Sequence, residues 1–278
     1  MYNTIFQGLI QGITEFLPIS SSGHLVIFNT IFGDGESNLS LTVCLHFATL
    51  LSVFIVFRKD IFSLIKEFFG AISDLLKGRK DCFKTPERRF LLMVIIGTIP
   101  ALIAGLGVKL LELDSLMENI FTVAVMLLVT ATFMFLIDRL KTGTYTEADA
   151  PYKTTLLVGC LQAAAILPGL SRSGSTIFGG VLGGLNREFA VKYAFILSIP
   201  AILGAGVLEF MDVLEAGSLG IDPFHLFVGF IVAAVSGVAS IKLISLLIRN
   251  RKFYIFGIYC LLAAGIAFWA GTRYSLLT

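Results

Sequence analysis

A chain of 278 residues that is 56% hydrophobic and only 14% charged, with a mean hydropathy of +0.89, cannot cover a water-soluble surface of its size. Its formal net charge of +2 offers no electrostatic footing for nucleic acid, so no such partner is expected. Apolar runs near the roughly 20 residues that cross a bilayer recur throughout, which predicts an all-α, polytopic integral membrane protein with the lipid bilayer as its main partner. One membrane domain covers residues 1–278, with no separate soluble domain.

In chain order, the first apolar stretch runs from Ile5 to Phe32 and is interrupted around Pro18 to Gly23. Spans follow from Leu41 to Phe57, Leu91 to Leu111 and Ile120 to Ile137. Between the first two, Ile61 to Leu76 is amphipathic and reads as an interfacial segment or an additional short helix. A second interrupted stretch runs from Leu156 to Leu185, broken around Pro168 to Gly174. The last spans run from Ala190 to Met211, Pro223 to Ile248 and Phe253 to Gly271. The sequence thus predicts six transmembrane helices plus two broken, re-entrant helical segments. The N-terminus lacks a charged leader region and a small-residue cleavage site, and is expected to belong to the mature protein. Cys44, Cys82, Cys160 and Cys260 show neither CxxC spacing nor a neighbouring His, and read as small apolar core residues.

Positive charge sets orientation. Arg58, Lys59, Lys66, Lys77, Arg79, Lys80, Lys84, Arg88 and Arg89 crowd one connection. Arg139, Lys141 and Lys153 mark a second, and Arg249, Arg251 and Lys252 a third. If the six spans alternate and each broken segment returns to its side of entry, all three connections face the cytoplasm. The opposite loops carry Glu112, Asp114, Glu118, Asp212, Glu215 and Asp222, and both termini lie outside. The broken segments then enter from opposite sides.

The two halves, roughly 1–115 and 150–222, echo each other. Leu17-Pro18 and Ser20-Ser21-Ser22-Gly23 resemble Leu167-Pro168 and Ser171-Arg172-Ser173-Gly174. Gly8 and Gln11 echo Gly159 and Gln162, and Thr98-Ile99-Pro100-Ala101 echoes Ser198-Ile199-Pro200-Ala201. With opposite entry this makes an inverted repeat, an arrangement found in transporters with discontinuous helices.

A helix broken within the bilayer is tolerated only where protein or a wet cavity receives its free backbone. After each Ser-rich turn a new half-helix starts, and its N–H groups and positive dipole end favour an anion. Ser20, Ser22, Ser171, Ser173 and Thr176 add hydroxyls, and Arg172 adds a permanent planar cation suited to phosphate. Gln7, Gln11 and Glu15 share one helix face, which brings a carboxylate to the turn. A carboxylate beside phosphates calls for a bridging divalent cation, Mg²⁺ or Ca²⁺, both of which prefer oxygen ligands. Ser21 can attack phosphorus, with His24 as proton acceptor or donor. His46 is a second polar residue that could face the cavity. Each residue also has a plainer reading: Ser20 to Ser22 as a helix cap, Glu15 as an interfacial carboxylate, His24 and His46 as interior histidines. Arg172 resists one, because an arginine between apolar segments is costly. Gly8, Gly12, Gly179, Gly180, Gly183 and Gly184 read as close-packing positions. Lys109 and Lys242 read as snorkelling or paired, and Trp269 and Tyr274 as interfacial anchors.

These motifs resemble those of the undecaprenyl-diphosphatase, or bacitracin-resistance protein, family. Gln11-Gly-Ile-Thr-Glu15-Phe-Leu-Pro18 is similar to its (E/Q)xxxE motif with the following FLP. Ser20-Ser21-Ser22-Gly23-His24 is similar to its S-S-(S/T)-G-H run, and Pro168 to Thr176 to its PGxSRSxxT motif. The resemblance implies hydrolysis of the terminal phosphate of undecaprenyl diphosphate, recycling of the lipid carrier for cell-wall polymers, and bacitracin resistance. It also implies a divalent-cation requirement and a site open to the outer face of the plasma membrane. Carried over by motif, Gln11 and Glu15 lie at the metal or phosphate end, Ser21 and His24 at the reacting phosphorus, and Ser171, Arg172, Ser173 and Thr176 around the phosphates. Position 11 departs from members that carry Glu there, which leaves Glu15 to supply the anionic ligand. The competing class is a lipid-phosphate flippase or anion transporter using the same repeat. Serine and histidine remain alternative nucleophiles, and the oligomeric state stays open, with a homodimer among the options.

Overall fold

The computed structural model describes residues 1–32, 39–79, 82–111, 119–216 and 220–274. The acidic positions Glu112, Asp114 and Glu118 lie outside these, as do the side chains of Lys109, Asp212 and Tyr274. Eleven helices are present among the described residues: α1 (Tyr2–Thr14), α2 (Ser21–Phe32), α3 (Leu39–Val56), α4 (Arg58–Leu76), α5 (Pro86–Leu110), α6 (Ile120–Arg139), α7 (Tyr152–Ala164), α8 (Arg172–Leu182), α9 (Arg187–Ala216), α10 (Pro223–Arg249) and α11 (Tyr254–Tyr274). Six of them, α3, α5, α6, α9, α10 and α11, are long and apolar enough to cross a membrane. They match the six expected spans in order, and the chain is an all-α, multi-pass membrane protein.

Helix α4 is the amphipathic segment. Ile61, Leu64 and Ala71 are buried, while Phe62, Phe69, Leu75 and Leu76 are exposed, as an interfacial helix requires. Its inner side is pinned by Arg88 at the start of α5, which donates to Glu67 Oε2 at 2.7 Å and Asp74 Oδ2 at 2.9 Å.

The breaks fall slightly earlier than the sequence suggests. Helix α1 stops at Thr14 and α7 at Ala164, four residues before Pro18 and Pro168. Proline disfavours helical geometry in the residue before it and offers no N–H, so the interruption spreads upstream. In consequence Ser21–Gly23 and Arg172–Gly174 belong to the first turns of α2 and α8.

Packing partners recur in a matching order. Helix α1 packs on α10 and α7 on α5; α2 meets α11 and α8 meets α6; α3 meets α10 and α9 meets α5. Two glycine crossings carry this pattern. A Cβ at Gly8 would lie 2.7 Å from the Gly229 carbonyl oxygen, and one at Gly159 would lie 2.6 Å from that of Gly97. Backbones approach this closely only where side chains are absent, the usual device for helix association in lipid. The echo between Thr98–Ala101 and Ser198–Ala201 falls on α5 and α9, which hold different places in this pattern. All four cysteines are free; Cys82 and Cys260 are buried, whereas Cys160 is exposed on α7.

The three basic connections gather at one end. Arg89 Nη2 donates to the Ala150 carbonyl, Arg187 Nη2 to those of Ile137 and Leu140, and Arg251 Nη2 to Thr142 Oγ1. Lys192 pairs with Asp60 and Glu147, and Arg249 with Glu188. Helix α7 starts from this basic end, beside the start of α5. Helix α1 packs near the start of α10, at the other end, so the broken segments enter from opposite ends. Gly8→Val or Gly159→Val should pry these crossings apart at a cost of about 1–3 kcal/mol or more. The check is a lowered thermal unfolding midpoint in detergent, with Gly105→Val, where a Cβ would meet open space, left near wild type.

Candidate active site

Glu15 sits one residue beyond α1, its backbone N–H still bonded to the Gln11 carbonyl at 3.0 Å. The helix therefore delivers the carboxylate directly into the break. Oε2 accepts from Gln11 Nε2 at 3.0 Å and from Ser21 Oγ at 3.1 Å. Oε1 accepts from Arg172 Nη2. The Glu15 side chain is 9% exposed and that of Arg172 21%, so a nearly buried anion is paired with a cation and two further donors. A buried carboxylate needs such a set to remain charged.

The two breaks also hold each other. Ser20 takes a left-handed conformation, φ +67°, unusual for a residue with a Cβ. That turn lets its Oγ accept from Gly23 N at 3.3 Å and, across the break, from Gly169 N at 3.1 Å. Ser171 caps α8 by accepting from Gly174 N at 3.2 Å. Ser173 Oγ donates to the Leu17 carbonyl at 3.3 Å. Thr130 of α6 completes the second break, donating to the Gly169 carbonyl at 2.9 Å and accepting from Ser171 N at 3.0 Å. Cys260 of α11 stands against the first break, its thiol 3.6 Å from the Pro18 carbonyl.

These bonds leave the leading edge of each half-helix open. The caps satisfy Gly23 N and Gly174 N, whereas the preceding amides have no acceptor within their own helices. Both N-termini border one cavity of about 440 Å³, lined by Glu15, Ser20, Ser21, Ser22, Ser171 and Arg172, by His46 of α3, and by Ala201, Ala205 and Glu209 of α9, among others. Two positive helix ends and a guanidinium converging on a small space suit a phosphate group.

Of the sequence-derived candidates, seven line the cavity: Glu15, Ser20, Ser21, Ser22, His46, Ser171 and Arg172. Gln11 reaches it only through Glu15. Ser173 ties the breaks together, and Thr176 returns its hydroxyl to the Arg172 carbonyl at 2.8 Å. His24 turns elsewhere. Its Nδ1 donates to the Ser20 carbonyl at 2.7 Å, which leaves Nε2 to accept from Tyr259 OH at 2.7 Å. The two rings stack with centroids 5.5 Å apart. Ser21 donates to Glu15, so the acceptor beside the hydroxyl is a carboxylate where the sequence suggested an imidazole. Glu209 was not among the candidates. Its signal was available as the lone carboxylate in the apolar run from Ala201 to Met211. It accepts from His46 Nδ1 at 3.0 Å.

Among the described residues no group of three or more His, Cys, Asp or Glu side chains is placed to hold a metal ion. The donor set does not make an all-protein cage. A cation there would have to take most of its ligands from phosphate oxygens and water, because both Glu15 oxygens already accept from Gln11, Ser21 and Arg172.

The family model described as bacitracin resistance protein BacA matches residues 4–266. A protein of Methanosphaera stadtmanae named undecaprenyl-diphosphatase is 41% identical over 262 residues, covering 93% of each chain. Those of Alkaliphilus metalliredigens and Methanobrevibacter smithii, with the same name, are 41% and 39% identical over 93% and 95% of this chain and 94% and 95% of their own. Motifs, spans and similarity run the length of the molecule together, and the chain belongs to the bacitracin resistance protein BacA family.

Proposed function

We propose that this chain is an undecaprenyl-diphosphate phosphatase. It releases the terminal phosphate of the lipid diphosphate, returns the monophosphate carrier to cell-wall synthesis, and thereby confers bacitracin resistance. The observation that carries this reading is one cavity in which a serine hydroxyl, bonded to a buried carboxylate, faces two helix N-termini and an arginine. The family and the names of its relatives agree with it. A transporter needs the anion cradle but has no use for an activated hydroxyl.

The chemistry follows from these contacts. The terminal phosphoryl group sits between the amides opening α2 and α8, and Arg172 extends to its oxygens. Ser21 Oγ attacks phosphorus while its proton passes to Glu15 Oε2 at the other end of their hydrogen bond. The new Oγ–P bond replaces the bridging P–O bond, and polyprenyl phosphate leaves. Water then attacks the phosphoserine, the P–Oγ bond breaks, and Glu15 returns the proton to Oγ. The helix ends and Arg172 hold the equatorial charge through both steps without reorganising, which is the main way proteins accelerate phosphoryl transfer. A divalent cation bound at Glu15 would neutralise charge on the diphosphate. His24, held by Ser20 and Tyr259, steadies the turn that presents Ser21. The positive-inside rule puts the basic end in the cytoplasm, so the cavity opens toward the outer face.

Purified protein in detergent should release inorganic phosphate from an isoprenyl diphosphate in a divalent-cation-dependent manner; no release with any such cation would sink the reading. Glu15→Gln should lower kcat by roughly 10²–10⁴-fold, and Ser21→Ala should abolish a trapped phosphoenzyme. A phosphoenzyme that maps to His24 would overturn the serine step. Arg172→Ala leaves Glu15 buried without its cation and should cost about 3 kcal/mol of stability. Adding Glu15→Gln should recover most of the lost unfolding midpoint while activity stays absent, which separates the structural from the catalytic part of the pair.

A further inference from the structure

The far wall of the cavity carries a pair that the mechanism above does not use. His46, on α3, and Glu209, on α9, are 163 positions apart in sequence and joined at 3.0 Å. Their side chains are 26% and 31% exposed, and both line the same cavity as Ser21 and Arg172. With Nδ1 bonded to Glu209, the ring has one polar atom left, Nε2, and it has no partner among the described residues.

Charge makes the need for a further donor plain. The cavity has two carboxylates in its lining, Glu15 and Glu209, and one permanent cation, Arg172. That cation is already shared with Glu15. A lipid diphosphate brings two phosphoryl groups, and the half-helix ends with Arg172 come from α2 and α8, whereas His46 and Glu209 come from α3 and α9. The second phosphoryl group needs donors from the second pair of helices.

We infer that His46, oriented by Glu209 and carrying a proton on both ring nitrogens when the anion is bound, is a substrate-binding residue that donates a hydrogen bond from Nε2 to the diphosphate. This rests on the phosphatase reading for the identity of the ligand and deepens it by making the cavity a two-walled clamp for a diphosphate rather than a cradle for a single phosphate. Glu209 is a positioning residue. Its carboxylate accepts from Nδ1, fixes the ring plane and so aims Nε2 into the cavity. An unoriented imidazole would lose that aim. The clamp also separates substrate from product. A monophosphate seated at Arg172 falls short of the opposite wall, so the product loses a contact that the substrate has.

Inorganic diphosphate is the probe, its binding to purified protein measured by calorimetry alongside turnover of an isoprenyl diphosphate. His46→Ala should weaken diphosphate binding about tenfold or more and leave monophosphate binding nearly unchanged. His46→Gln, whose amide supplies an N–H donor, should recover most of the loss. Glu209→Ala should weaken diphosphate binding as well, and the double variant should be little worse than His46→Ala, because the two residues act as a unit. Unchanged diphosphate affinity in His46→Ala would overturn the inference, and so would equal losses in the Ala and Gln variants. A wild type that shows this binding pattern without turning over isoprenyl diphosphate would remove the phosphatase reading while supporting the clamp.

Discussion

The contact between Glu15 and Arg172 is the interaction on which the rest of this molecule turns. Either charge alone in an apolar bundle would be intolerable. Together they join two interruptions that are 157 residues apart in the chain. Each break exposes backbone that lipid cannot satisfy, and each satisfies the other: Ser20 receives the Gly169 amide and Ser173 reaches the Leu17 carbonyl. The cavity is thus a consequence of the fold's own hydrogen-bonding needs. What remains unsatisfied after the breaks have served one another is the pair of helix N-termini, and those are what an anion can use.

The two breaks have similar geometry but unequal chemistry. Ser21 and Arg172 occupy the same place, the opening residue of a half-helix that follows a capping serine. One supplies a hydroxyl and the other a guanidinium, and both bond to the same carboxylate. Glu15 itself has no counterpart: four residues after Gln11 the chain has glutamate, whereas four after Gln162 it has Ile166. Gln162 is buried with neither amide atom bonded among the described residues. A symmetric pair of half-helix ends thus carries a hydroxyl on one side and a guanidinium on the other. The close glycine crossings, Gly8 on Gly229 and Gly159 on Gly97, retain the symmetry that the chemistry has lost.

Much of this was legible in the sequence, for reasons that differ by feature. The six spans were readable because hydrophobic length is a local property, and the breaks because proline and serine clusters act locally too. The extent of each break was harder. Proline acts on residues before it, so Glu15 falls just outside the helix, and the serines thought to lie in the turn begin the next one. His24 shows another limit. Sequence placed it three residues from Ser21 on one half-helix, but only the position of α11, with Tyr259, shows where its ring is held. The His46–Glu209 pair joins α3 to α9, and nothing in either local stretch announces a partner. Glu209 alone carried a usable signal, a single carboxylate within an apolar span.

Where the cavity sits along the bundle bears on how a lipid headgroup reaches it. Ala201, Ala205 and Glu209 follow one another along α9, which begins at the basic end at Arg187. At about 1.5 Å per residue, Ala201 lies roughly 20 Å from that end. The cavity therefore extends away from the arginine-rich connections. At the basic end Arg187 donates to two α6 carbonyls and Lys192 is shared between Asp60 and Glu147. A headgroup approaching from that end meets cations already spent on carboxylates and carbonyls. One approaching from the other end meets Glu209, the α9 lining residue farthest along that helix from Arg187.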